Sequence, residues 1–517
     1  MQEPFSDSLV KITKGAGLFL VGIIAGRFIL FIGRLLIARH GMEADYGVYS
    51  LASAIFSIGS TIAMLGMSRG ASRSIAYARG QKDVEKVQNL IPAALNFVLL
   101  ASIVLCAIMF FASDTLAARV FHDVSLALPL KVFAVGLPFA ALVSIFATIF
   151  QGFGEVKPTV YFNNIMRSLL FVALLLPVVF LNLPFAGVYY AVLISMVITC
   201  AAMVIYASRR LPVPIRFRTG LRANPAAREL LFFSLPLLGL AMLNMIISWT
   251  DTLMLGSFKS SVDVGLYNAA HPPAALISTP LLALQPIYLP VTSALYAGGA
   301  ISEMRRNFAI LTKWLVAATM PLFLVLFLFP ETVLGFLFGP NYVPAADALR
   351  ILSIGFMIGT LLGTNGGTLI AMGHPRFVMW ATAAAVVLNV GLNAVLIPPL
   401  GIVGAAIASL AAIICGNLMR SGRLYSLAKI QPFSKNLLKP MLSSLALVFA
   451  FHFIFTHFVT VVWWMLPVLF IAYYATYGLA ILLTRSFDKE DIAMLLAMEK
   501  RLGIDLSFIK RILRRFL

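Results

Sequence analysis

Apolar runs of about twenty residues, recurring about fourteen times along the chain, constrain its fold more than any other feature. A helix needs that length to cross the hydrocarbon core of a bilayer. Within lipid the backbone must satisfy its own polar groups, and runs of this length do so as helices. They lie near 16–36, 48–68, 91–112, 129–153, 159–181, 187–207, 231–256, 265–292, 314–337, 346–372, 378–397, 402–420, 440–458 and 464–484. With 61% hydrophobic and 11% charged residues, the chain is too apolar for a soluble globular protein. The expected fold class is an all-α polytopic membrane protein with about 14 transmembrane helices.

The net charge of +19 follows this topology. With both termini on one side, about 31 Lys and Arg fall on that side, about 4 on the other and about 4 inside spans. The positive-inside rule then predicts cytoplasmic termini and a place in the cytoplasmic (inner) cell membrane. Contact with anionic membrane lipids accounts for the basic excess, which argues against nucleic acid as a partner. Cys106, Cys200 and Cys415 all sit in apolar runs, with neither metal-ligand spacing nor a disulfide framework. The N-terminal apolar segment lacks a cleavage site and is interrupted by Arg27 and Arg34, unlike a secretory signal.

The chain repeats itself. "DYGVYSLA" (45–52) answers "DVGLYNAA" (263–270), 218 residues later. At nearly the same offset "GFGEVKP" (152–158) meets "AMGHPRF" (371–377), and slightly out of step "PFAG" (184–187) meets "PPLG" (398–401). Six spans, an even number, separate the copies, so both halves run in the same direction. Parallel repeats are related by an axis along the membrane normal, with the substrate site between them. The expected organisation is an N-lobe over 1–215 (spans 1–6), a C-lobe over 216–430 (spans 7–12) and a central cavity. Two additional spans follow over 431–485. The segment 208–229, rich in Pro and Arg, is the expected linker between lobes. Over 486–517, apolar residues at helical spacing mixed with Lys and Arg predict an amphipathic cytoplasmic tail helix on the inner leaflet.

Few residues inside the spans carry charge. Arg27 and Arg34, seven apart, project from one helix face about 10 Å apart along the axis. An arginine near the bilayer centre costs about 2.5–3.5 kcal/mol on insertion scales, so it turns toward protein or a wet cavity. Guanidinium groups bind phosphate oxygens in pairs and stay charged, so the two define a candidate anion site; pairing within the protein is the plain alternative. Arg167, in "NNIMRSLL", is either an anion contact at the inward mouth or a snorkelling charge. Asp251 aligns with Gly33 at the repeat offset, beside Arg34. It has three readings: a salt bridge closing the outward side, a coupling site for H+ or Na+, or packing between helices. His271 is of the residue type suited to a proton switch but precedes two prolines, so satisfying a broken helix is the plainer role. Arg350 has Asp347 three residues earlier as a helical partner. Asn389 and Asn393 share a face suited to interhelical hydrogen bonding, and Gly22 and Gly26 form a packing seam.

The stretches "LLIARHGMEADYGVYSLASAI", "SWTDTLMLGSFKSSVDVGLYNAA" and "GTLIAMGHPRF" resemble the polysaccharide transporter, or O-antigen flippase, branch of the multidrug/oligosaccharidyl-lipid/polysaccharide exporter superfamily. The resemblance covers about residues 10–430. It implies export of a polyprenyl-diphosphate-linked oligosaccharide across the membrane by alternating access, without cofactor or metal. A polysaccharide polymerase and assembly proteins are the implied further partners. On this reading Arg27, Arg34 and Arg167 bind the anionic head, and Asp251 and His271 serve gating or ion coupling. A lipid II-type flippase and a cation-coupled multidrug antiporter of the same superfamily are alternatives, and a membrane polysaccharide polymerase is a more distant one. Enzyme signatures are missing from the sequence: no Gly-Lys-Ser/Thr phosphate loop, no metal-spaced cluster and no carboxylate pair placed for glycosyl chemistry.

Overall fold

The structure, a computed structural model, describes residues 22, 24–211, 225–432, 438–457 and 465–484. Every regular element among them is helical. They are α1 (24–40), α2 (Glu43–Ala63), α3 (Met67–Gly80), α4 (Val84–Thr115), α5 (Ala127–Gly152), α6 (Arg167–Phe180), α7 (Ala186–Arg210), α8 (Pro225–Phe258) and α9 (Ser261–Ala275). Then come α10 (Thr279–Ala297), α11 (Ile301–Leu328), α12 (Pro330–Leu337), α13 (Ala346–Leu361), α14 (Asn365–Ala371), α15 (Pro375–Ala428), α16 (Leu438–His457) and α17 (Met465–Leu483). The chain is a multi-pass membrane protein.

Ten helical stretches among the described residues are long and apolar enough to cross a membrane. The difference from the expected number has local causes. The first expected span begins outside the described residues. The eighth, 265–292, is α9 and α10 joined by a 3-10 turn, because Pro272 and Pro273 lie inside α9 and Pro280 opens α10. The eleventh and twelfth run together as α15 across a kink at Gly401 (φ 55°, ψ −129°), just after Pro398 and Pro399. The thirteenth corresponds to α16, whose apolar stretch Lys439–Phe451 is shorter. The expected tail helix and most of the linker lie outside the described residues.

The described chain divides into two compact units, one ending at Asn268 and one beginning at Ala269. In the first, α5 runs through the core and packs on α2, α3, α4 and α7. Its Phe133, Phe146 and Phe150 are fully enclosed. The long α8 packs along α2, α3 and α4, so the opening helix of the second repeat copy belongs to this unit by contact. Two close approaches hold α8 and the start of α9 in this unit. Gly66, in the left-handed region (φ 74°), lies against the Ser234 backbone. Gly47 and Gly265 lie against each other's helices with no room for a Cβ. In the second unit α13 packs between α11 and α15, and α16 leans on α11. The hydroxyls of Tyr473 and Ser444 join α17 to α16 at 2.8 Å.

The repeat copies share local geometry. Asp45 caps α2 by accepting from the Met42 N–H (3.0 Å), and Asp263 caps α9 by accepting from the Ser260 N–H (3.2 Å) and hydroxyl (2.6 Å). Gly154 and Gly373 close their helices with φ of 82° and 83°. In both turns the next N–H reaches back five residues, Glu155 to Phe150 and His374 to Leu369. An ion pair recurs as well: Lys131 with Asp114 at 2.8 Å, and Arg350 with Glu331 at 2.7 Å, at nearly the same offset. Arg350 also meets Asp347 at 2.8 Å, the expected partner. "PFAG" and "PPLG" differ in shape. The first copy breaks after Asn182 (φ 49°) into a loop, whereas the second continues through the Gly401 kink.

Candidate functional site

The site residues of the first unit are positioned by α1 and its neighbour. Gly22, Gly26 and Gly33 lie on one side of α1, against Val160, the Asn164 carbonyl and Phe171. A side chain at any of the three would collide with that neighbour, so the small residues form the expected seam. Arg27 and Arg34 each follow a seam glycine and stand about 100° round the helix from it, on a shared face. Arg27 is exposed and Arg34 half-buried.

The neighbour opens with a π-helical stretch, Thr159–Met166, that widens the turn just before Arg167. Such insertions concentrate at functional sites. Here the stretch carries Asn163 and Asn164 and delivers Arg167, half-buried, to the first turn of α6. The Asn164 amide nitrogen is enclosed without a hydrogen-bond partner. α1 and the stretch that leads into α6 lie side by side through this seam, which sets Arg27, Arg34 and Arg167 on neighbouring helices. No described residue gives Arg27, Arg34 or Arg167 a carboxylate partner within ion-pair distance.

Asp251 is 6% exposed and accepts a hydrogen bond from the Tyr267 hydroxyl at 2.5 Å. The next rung of the same α8–α9 hairpin joins Thr252 and Asn268 through side chains at 3.2 Å. Tyr267 is the repeat counterpart of Tyr49, whose ring instead packs on Tyr46 and Phe133. His271 belongs to the second unit, where it is half-buried and meets Phe356 edge to face at 5.6 Å. Asn393 donates to Asn389 at 3.2 Å, an internal bond of α15.

A cavity of about 420 Å³ opens inside the first unit. Ser60 and Thr61 of α2, Arg69 of α3, Ser144, Thr148 and Gln151 of α5, Asn163 of the π-helical stretch and Asn244 of α8 line it. The Thr61 and Thr148 hydroxyls donate to carbonyls one turn back, both at 2.9 Å, which leaves their lone pairs free to accept from a guest. Gln151 donates to Thr159 at 3.0 Å. None of the five sequence-predicted site residues lines this cavity. Arg167 lies four residues beyond Asn163, which does. A signal for the cavity was present in the sequence: Ser144, Thr148 and Gln151 recur at helical spacing on an otherwise apolar helix.

A multi-pass chain whose described residues are helical, with paired repeat segments, arginines in its expected spans and a hydroxyl-lined cavity, has the character of a membrane transporter. The family model described as "Polysaccharide biosynthesis protein" matches residues 12–296, and the MatE model matches 236–395. The chain belongs to the polysaccharide biosynthesis protein family. Stage V sporulation protein B of Bacillus subtilis is 20% identical over 443 residues, covering 81% of this chain and 84% of that one. A probable low-salt glycan biosynthesis flippase, Agl15 of Haloferax volcanii, is 25% identical, covering 36% of this chain and 39% of that one. Among solved structures, the lipid II flippase MurJ in an inward closed conformation superposes with a TM-score of 0.68 at 16% identity, covering 89% of this chain and 98% of that one. An inward-facing multidrug resistance MATE family transporter gives 0.64 at 18% identity, covering 80% and 99%. These likenesses carry the fold.

Proposed function

We propose that the chain is a flippase that exports a polyprenyl-diphosphate-linked oligosaccharide from the cytoplasmic to the outer face of the cell membrane. Arg27, Arg34 and Arg167 hold the anionic head. The two repeat halves alternate access, the polyprenyl tail stays in lipid, and both termini are cytoplasmic. The observation that carries this reading is three arginines on adjacent helices without a described carboxylate partner, one of them four residues from a residue that lines a cavity of hydroxyls and amides. Uncompensated guanidinium groups at membrane depth favour an acidic guest, and a cavity rich in acceptors favours a polyhydroxylated one.

The energetics allow it. A membrane potential acts with about 2.3 kcal/mol per charge per 100 mV, so a head with about two negative charges leaving a negative interior gains about 4–5 kcal/mol. Export then needs no coupled ion. The buried Asp251 supports a second reading in which H+ or Na+ drives the cycle, as in a cation-coupled multidrug antiporter. A lipid II-type substrate fits the same arginine group.

The test is export of lipid-linked glycan in cells that carry Arg27→Ala, Arg34→Ala or Arg167→Ala at matched protein level. Each is expected to reduce export at least about tenfold, with partial recovery in the Lys variants, because ammonium keeps the charge and loses the fork. Undiminished export in all three would remove the arginine group from the site.

A further inference from the structure

The second unit holds an arginine that the flippase reading does not use. Arg420 lies near the end of α15, in the last turn of the expected span 402–420. It is half-buried, its Nε is enclosed without an acceptor, and no described residue gives its guanidinium a hydrogen bond or an ion pair. Its basic neighbours are placed differently. Arg423 is exposed and covers the Phe377 ring at 5.8 Å, and the Arg305 Nε donates to the Ala428 carbonyl at 2.6 Å.

The surroundings of Arg420 are small and polar. In "LLGTNGGTL" (361–369) the chain leaves α13, passes Gly363 at φ 68° and restarts as α14 at Asn365, so the stretch Pro340–Ala371 is interrupted within its membrane-crossing length. Asn365 is 3% exposed and donates to Asn417 Oδ1 at 3.1 Å and Ser421 Oγ at 3.0 Å. Gly366 and Gly416 leave open the space beside the arginine: a Cβ at either would stand 3.6 Å from its Cδ or 3.5 Å from its Nη2. Phe308, Leu369 and Leu424 form an apolar core nearby. Glycine-interrupted helices in transporters are pointers to binding sites, and an intramembrane charge faces a partner or a wet space.

The ligand chemistry follows from the donors. A fixed positive charge excludes a metal cation, and a planar fork suits two oxygens of one oxyanion. We propose that Arg420, lying beside Gly366 and Gly416 at the broken α13–α14 span, forms an anion site of the second unit that takes a phosphate group. The group belongs either to an anionic phospholipid head or to a water-soluble diphosphate. The site stands independently of the flippase reading.

The test uses the full chain purified in an uncharged detergent. Native mass spectrometry reads retention of phosphatidylglycerol against phosphatidylcholine, and thermal unfolding reads protection by inorganic diphosphate. Wild type is expected to bind one of the two probes saturably, Arg420→Gln to bind it at least about tenfold more weakly, and Arg423→Gln to bind it as wild type does. The probe that shows this pattern names the source of the phosphate. Should Arg420→Gln not purify as a folded protein, Ser421→Asp keeps the arginine, sets a carboxylate beside it and is expected to abolish binding. Equal binding of both probes by wild type and Arg420→Gln, or an equal loss in Arg423→Gln, overturns the proposal.

Discussion

The Tyr267 hydroxyl donates to the Asp251 carboxylate at 2.5 Å and so ties α9 to α8 at a buried acid. Removing the donor leaves that carboxylate less satisfied, so Tyr267→Phe is expected to cost about 1–3 kcal/mol, read as a lowered unfolding midpoint in detergent. Asp251→Asn keeps an acceptor and should cost less. The Asn variant also separates coupling from packing. Flipping in vesicles that stays as sensitive to a pH or Na+ gradient as wild type would make Asp251 structural.

Gly47→Ala and Gly265→Ala each place a methyl group into the backbone of the opposing helix. Overpacking of this kind costs about 1–3 kcal/mol, and here backbone rather than a flexible side chain must move. Either variant is expected to unfold at lower temperature than Gly239→Ala, where no atom lies within 4 Å of the added Cβ.

The repeated ion pair predicts unequal losses. Lys131 and Asp114 are partly exposed, and such pairs are worth about 0–1 kcal/mol, so Lys131→Met should change stability little. Arg350 meets Glu331 and Asp347 and also donates to the Phe327 carbonyl at 3.3 Å. Arg350→Met therefore removes more and is expected to lower the unfolding midpoint further.

Asp123 lies in the loop between two spans. Burial pushes its pKa up, but hydrogen bonds from Ser125 and Ser261 outweigh this and hold it below the usual carboxylate range. A depressed folded pKa gives stability that is present above the unfolded value and lost as pH falls through the folded one. Unfolding midpoints measured across the acid range should fall below about pH 4, where carboxylates begin to protonate. Ser261→Ala, which removes one of the three donors, should move that fall to higher pH. A profile identical to wild type would show that the Ser261 bond does not stabilise the ionised form.

Much of the fold was legible because the bilayer imposes a simple rule, about twenty apolar residues per crossing. The paired segments were legible because capping acids and left-handed glycines are local requirements. Asp45 and Asp263 close equivalent helix starts, and Gly154 and Gly373 close equivalent helix ends. The seam of Gly22 and Gly26 and the Arg350–Asp347 pair were legible for the same reason. The break inside the eighth span was marked by Pro272 and Pro273, but hydropathy counts proline as neutral filler and passed over it. The packing of α8 onto α2, α3 and α4 depends on contacts distant in sequence, which no local pattern encodes. Arg420 falls at the last residue of an expected span, where a basic residue reads as an interface anchor. Only the space that Gly366 and Gly416 leave beside it sets it apart.

The crossing of α2 and α9 ties two codons together. Gly47 and Gly265 are counterparts, and each lies against the first turn of the other's helix, Gly47 at the Ser261 carbonyl and Gly265 at the Glu43 carbonyl. Neither position can drift alone: a bulkier residue at one demands a shift of the backbone that its twin presses upon. Among related sequences the two columns should change jointly or not at all, a coevolutionary trace of a chain that meets its own duplicate.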